Sequence, residues 1–270
     1  MSTVQSRSAS SAAAQTERPT DARRSDRLLL QAPARSVWRY HVGRIVLGRA
    51  ARLYSRVRIE GLERLPDGPC VLCFSHQNWA DPFFVFAAAP CRPRFLFFGP
   101  EQEDMRRGLR NRLMRWAGVS VPYRPGNRGL VAATARVQQL LRGGASIAIA
   151  GEGRIHSGES VILPLRDGAA YLSLRAGVPL IPVAINGTSW LGFRRTVRVR
   201  VGRPIDWVAV TPERPTSDEI ARLTSQTQLA LQALVLDFPE QSRPGPIGRW
   251  LTELFNKWPE GSRPPVPPNP

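Results

Sequence analysis

Through the middle of the chain, short apolar or β-branched runs alternate with helix-patterned stretches, and this alternation constrains the fold more than any other feature. The runs are VRIEG, CVLCF, RFLFF, VSVP, SIAIA, LIPVAI and TVRVRV. Between several of them lie EDMRRGLRNRLMRWAG, RGLVAATARVQQLLRGG and DGAAYLSLRAG, the last two closing on glycines that stop helices. The pattern predicts an α/β domain over residues 59–240, with a mixed, largely parallel sheet flanked by helices. Within it, Thr216 three residues before Glu219 forms a capping box that opens a helix running to about Phe238.

The flanks are different in kind. Residues 1–27 are polar, lack an apolar signal core and are expected to be a disordered tail; an organellar transit peptide is the other reading. Residues 28–58 hold an N-terminal amphipathic helix from about Ser36, with Trp38, Val42, Ile45, Val46 and Leu53 as apolar contacts. Arg49, Arg52 and Arg56 recur on one of its faces. Such a helix either lies in a membrane interface or packs on the core with a solvated arginine face. Residues 241–270 form a linker, a C-terminal amphipathic helix and a proline-rich tail. Ile247, Trp250, Leu251, Leu254, Phe255 and Trp258 make one apolar stripe, suited to interface insertion or to docking on the domain. No apolar run approaches the roughly 20 residues of a spanning helix.

Charge narrows the partners. Lys+Arg 38 against Asp+Glu 21 leaves +17, and Lys257 is the single lysine. So large a basic excess favours nucleic acid, an anionic membrane surface or phosphorylated substrates. The bases are not interleaved with aromatics in an RNA- or DNA-binding motif, so no nucleic acid is expected. Cys70, Cys73 and Cys91 are too few for a disulfide framework. CVLCFSH has the spacing of a metal site, but on a strand Cys70 and Cys73 would point to opposite faces, so no metal is expected.

The chemistry centres on SHQNWADPFF. His76 stands at a strand end, five residues before Asp81, and Asp81-Pro82 has the form of an N-cap followed by a helix-opening proline. Folded back, the aspartate would accept the Nδ1 proton and leave Nε2 as a base for a hydroxyl attacking an ester or thioester. GVSVPYR, AGEGRIHSG and VPLIPVAI follow in order. Together these four stretches, across about residues 60–205, resemble the sequence blocks of the glycerolipid acyltransferases, the family that contains 1-acylglycerol-3-phosphate acyltransferases.

The resemblance implies a peripheral enzyme on the cytoplasmic face of a membrane. It would move a fatty acyl group from acyl-CoA or acyl-carrier protein to a lysophospholipid hydroxyl, 1-acylglycerol-3-phosphate first among acceptors, with no cofactor beyond the donor. It makes His76 the general base and Asp81 its orienting partner, and gives Arg124, reached through Gly118, the acceptor phosphate. Glu152 and Gly153 form a tight turn with backbone N–H groups available to a substrate oxygen. Arg154 is a second phosphate ligand, although here it follows the glycine directly and the usual threonine is absent. Pro179 and Pro182 flank a strand lining the acyl side of the cleft. His156 receives no role. A non-catalytic polyanion-binding protein is the alternative. A serine hydrolase is disfavoured because no G-x-S-x-G elbow is present.

Overall fold

The computed structural model describes residues 34–90, 93–100, 116–123, 127–156, 158–205, 215–235, 238, 244–256, 258, 261 and 263–266. The tail expected over residues 1–27 lies outside these, as do residues 103–115 of an expected helix. The strands are β1 (Arg56–Glu60), β2 (Val71–Phe74), β3 (Phe95–Pro100), β4 (Ser120–Tyr123), β5 (Ser146–Ala150), β6 (Leu180–Asn186) and β7 (Thr196–Val201). The helices are α1 (Ala34–Tyr54), α2 (Asp81–Ala88), α3 (Asn127–Arg142), α4 (Gly168–Ala176), α5 (Ser217–Val235) and α6 (Pro246–Phe255).

All seven expected strands join one sheet, ordered β1-β7-β6-β2-β5-β3-β4. Every neighbouring pair is parallel except β6 with β7. The fold is therefore α/β with a mixed, largely parallel sheet. β2 and β6 are buried along their whole length, which is why they read as unbroken apolar runs rather than alternating ones. Leu72 and Phe74 face a core shared with Tyr40 of α1 and Phe84 of α2. Val71 and Cys73 face the other, with Val137 of α3, Leu172 of α4 and Leu231 of α5.

α5 opens on the expected capping box. Glu219 Oε2 accepts the Thr216 N–H at 2.7 Å, and Thr216 Oγ1 accepts the Glu219 N–H at 3.3 Å.

Of the two settings expected for α1, its outward apolar residues do not fit packing on the core through that face. It ends at Tyr54, and Arg56 begins β1, so the three-arginine face does not form. Trp38, Ile45, Val46 and Leu53, expected as contacts, are exposed. The packed side holds Tyr40, Gly43, Gly48 and Ala51 instead. Close approach is the reason: a Cβ on Gly43 would stand 2.7 Å from Ala117 Cβ. Two arginines serve this contact. Arg44 Nε donates to Ala89 O at 3.1 Å and Arg52 Nη2 to Ala87 O at 2.8 Å, filling carbonyls at the C-terminal end of α2. α6 likewise turns Ile247, Trp250 and Leu254 outward. Among the described residues, no helix is long and apolar enough to cross a membrane.

Cys70 and Cys73 lie on opposite faces of β2, as strand geometry requires. Burial pushes the Cys70 thiol up to about 11 and the Cys73 thiol to about 12. At pH 8 the thiolate fraction at Cys70 is then about a thousandth. We expect neither to take up a thiol-alkylating reagent until the chain is denatured; mass spectrometry of the peptide holding both would show it.

Candidate functional site

β2, β5 and β3 are parallel neighbours, so the segments following them emerge at one edge of the sheet. His76 leaves β2 there and Glu152 leaves β5, the next strand along. This edge, the carboxyl end of an open parallel sheet, is where such folds place ligands.

The loop between β2 and α2 is organised by Asp81, which is fully buried. The helix N-cap is Ala80, not Asp81, and it makes no side-chain cap. The aspartate instead reaches backwards. Its Oδ2 accepts from His76 Nδ1 at 2.9 Å, from the Gln77 N–H at 2.7 Å and from the Asn78 N–H at 2.7 Å. A buried carboxylate at this distance favours the tautomer protonated on Nδ1, leaving Nε2 as the acceptor. The His76 side chain keeps 19% of its surface exposed, so the pair is buried on the aspartate side and open on the histidine side.

A second carboxylate holds the His76 backbone. Glu152, also buried, accepts the His76 N–H on Oε2 at 2.8 Å and the Leu163 N–H on Oε1 at 3.1 Å. His156 then closes a ring. Its N–H donates to His76 O at 3.2 Å, and its Nε2 sits 2.6 Å from Glu152 Oε1, a close polar contact rather than a well-aligned hydrogen bond. The Gly158 N–H donates to His156 Nδ1 at 3.1 Å, which assigns the ring proton to Nε2, facing Glu152. His156 is thus a scaffold residue for His76. Nothing in the sequence reading marked this role.

Other polar residues fasten the same loop, and composition alone did not mark them. Ser75 Oγ accepts the Ile185 N–H at 2.9 Å, Asn78 Nδ2 donates to Thr188 O at 2.8 Å, and Gln77 Nε2 donates to Gly158 O at 2.8 Å. From nearly 180 residues away, Asn256 Oδ1 accepts the Trp79 N–H at 2.9 Å and Asn256 Nδ2 donates to Gln77 O at 3.4 Å. Nearby Glu159 accepts the N–H groups of Gly187 at 2.5 Å and Ser189 at 3.0 Å. Burial still raises its carboxyl above the ordinary range.

The remaining expected residues fare unequally. Gly153 sits in the turn with φ +66°, and Arg154 beside it is exposed. The Gly153 N–H, expected to be available to substrate, closes the turn on Ala150 O at 3.3 Å. Gly118 has φ +64° and precedes β4. Arg124 lies outside the described residues, one position beyond β4, whose end is three strands, roughly 14 Å, from that of β2. Pro182 is not brought to the site. It is buried inside β6, beside Cys73 of β2, and its carbonyl accepts the Gly202 N–H at 2.8 Å. A strand in the middle of a sheet spends its side chains on packing, which is what this residue does.

Residues 56–186 match the family described as Acyltransferase. A 1-acyl-sn-glycerol-3-phosphate acyltransferase of Pseudomonas aeruginosa is 26% identical over 160 residues, 54% of this chain and 58% of its own length. A chloroplastic 1-acyl-sn-glycerol-3-phosphate acyltransferase of Brassica napus is 27% identical over 145 residues, 50% of this chain and 38% of its own. In sequence the chain is similar to the glycerolipid acyltransferases. The family match begins in β1 and ends with β6, so it spans His76, Asp81 and Glu152 and leaves α1, β7, α5 and α6 outside. The chain spans about half the length of the curated acyltransferases it matches. In fold it is similar to the crystal structure of the 1-acyl-sn-glycerophosphate acyltransferase PlsC from Thermotoga maritima. That similarity has a TM-score of 0.54 at 17% identity, covering 83% of this chain and 86% of that one.

Replacing Asp81 by Ala strands two buried backbone donors, those of Gln77 and Asn78, besides the His76 ring. A cost of about 2–4 kcal/mol is expected, measurable as a lowered midpoint in urea. His76→Ala, at the open side of the pair, should lose far less stability.

Proposed function

We propose that this protein transfers a fatty acyl group from acyl-CoA or acyl-carrier protein to the hydroxyl of a lysophospholipid, with 1-acylglycerol-3-phosphate, giving phosphatidic acid, as its acceptor. The observation that carries the reading is the His76–Asp81 pair, 2.9 Å apart, with the aspartate buried and the imidazole open at the sheet's carboxyl edge. The names of the relatives support the acceptor class.

The proposed chemistry balances without a cofactor. Nε2 of His76 takes the acceptor hydroxyl proton as that oxygen attacks the thioester carbonyl. The tetrahedral intermediate collapses, the carbon–sulfur bond breaks, and the thiolate leaves with the proton returned by the imidazolium. Asp81 stabilises the transient imidazolium and keeps the ring in register. Glu152 and His156 hold the backbone from which that ring projects. Arg124 and Arg154 are proposed to bind the acceptor phosphate, for which a guanidinium supplies paired donors and a permanent charge. The proposed setting is peripheral, on the cytoplasmic face of an anionic membrane. The net charge of +17 and the outward Trp38, Ile45 and Val46 of α1 support it.

The test is transfer from labelled acyl-CoA to lysophosphatidate on anionic vesicles, wild type beside His76→Ala. Wild type should form product, and the variant, still folded, should be slower by about 10²–10⁴-fold. Equal turnover by a folded variant would remove His76 as the base. No product from either, with acyl-carrier protein also tried as donor, would return the chain to a polyanion-binding role. Arg154→Ala should raise the apparent KM for lysophosphatidate while leaving kcat near wild type, as read in the same assay.

A further inference from the structure

α6 is built inside out. A helix lying on a domain normally turns its apolar side inward. Here Gly248, Thr252 and Asn256, four residues apart, face the domain, while Ile247 is 68% exposed, Trp250 59% and Leu254 55%. The inward side is specific. A Cβ on Gly248 would stand 2.1 Å from Leu191 O, so only glycine permits the approach. Thr252 Oγ1 accepts the Leu191 N–H at 2.9 Å, and Asn256 bonds the backbone of Gln77 and Trp79. Rotating the helix to bury its apolar residues would break each of these bonds. The orientation is therefore held, and the exposed stripe comes with it.

The stripe has neighbours of the same character. Gly248 packs on Leu191 and Gly192, next to Phe193, which is 69% exposed. The Phe193 ring meets that of Tyr54 at 6.1 Å, beside Leu53, which is 79% exposed. The Arg194 N–H bonds Tyr54 O at 2.6 Å and holds this corner together. Exposed Arg56 and Arg194 border it, and two guanidiniums, Arg249 of α6 and Arg263 beyond its end, share the single carboxylate of Glu253.

We propose that the outward side of α6, with Phe193 and Leu53, is a docking surface for an anionic lipid bilayer. An apolar stripe with a tryptophan and a basic border suits the headgroup boundary, where the ring inserts and the arginines meet phosphates. A second copy of the chain is a poorer occupant, because each copy brings +17 to the contact. The surface names a partner for the reaction proposed above and so rests on that reading for its purpose, but binding is measurable without turnover.

The experiment is co-sedimentation of the full chain with phosphatidylglycerol vesicles and with phosphatidylcholine vesicles. Wild type is compared with the triple variant Ile247→Ser, Trp250→Ser, Leu254→Ser and with Trp250→Ser alone, circular dichroism confirming the fold of each. The proposal expects binding to phosphatidylglycerol, weakened about tenfold or more in the triple variant and by a smaller factor in the single one. Binding equal to wild type in both folded variants would overturn it, since arginine alone would then account for attachment. A concentration-dependent dimer of wild type, lost in the variants and unaccompanied by vesicle binding, would overturn it in favour of self-association. A short-chain lysophosphatidate offered below its micelle concentration separates the two readings: the triple variant should turn it over as wild type does. Failure of both to do so would count against the acyltransfer reading and leave the binding result standing.

Discussion

Asp81 Oδ2 accepts three hydrogen bonds from three consecutive residues, and that buried carboxylate oxygen sets the geometry around it. Two of the bonds come from backbone N–H groups, which forces residues 76–78 to curl around the carboxylate. The third comes from the imidazole, whose orientation then follows from the curl. A charged acceptor is suited to this task because charge-assisted bonds are short and strong, and because burial makes any unfilled donor costly. The orientation of the His76 ring and the conformation of its loop are consequently the same physical fact in this protein.

The sheet makes that arrangement possible. Parallel strands deliver His76 and Glu152 side by side at one edge, and the register of β2 with β5 sets their spacing. Around them, loop residues spend their side chains on one another's backbones. Ser75, Gln77, Asn78 and Asn256 each bond main-chain atoms of other segments, and Glu152 and His156 secure the two sides of the His76 peptide. Imidazole Nε2 is left as the polar atom of this group directed outward. An imidazole in so rigid a setting keeps one geometry toward whatever approaches it.

The central strands were legible because a sheet covered on both faces needs unbroken apolar runs, and β1 and β7 because their side chains alternate. The His76–Asp81 pair was legible because both partners sit on one loop, five residues apart. What escaped the reading depends on distance along the chain or on small residues. Asn256 reaches the loop across nearly 180 residues, and no local pattern encodes that. The packed side of α1 is chosen by Gly43 and Ala51, whose value is the space they leave, whereas hydrophobic periodicity points to the larger residues on the other side. Pro182 misled for the converse reason: it belongs to a run whose apolar character is fully explained by β6. The N-cap form of Asp81-Pro82 placed the helix start one residue late, while the folded-back carboxylate is the one observed.

Arg44 and Arg52 of α1 fill carbonyls at the far end of α2, an eight-residue helix whose first residue is Asp81. So short a helix has little cooperativity of its own, and these two guanidiniums hold the end that is otherwise free to fray. The N-terminal helix is therefore a splint for the His76–Asp81 loop as well as a surface. Trimming it to obtain a better-behaved protein would loosen the aspartate's helix from behind. Any function lost in such a shortened chain would then reflect lost rigidity around the His76–Asp81 pair, even in an assay that contains no membrane at all.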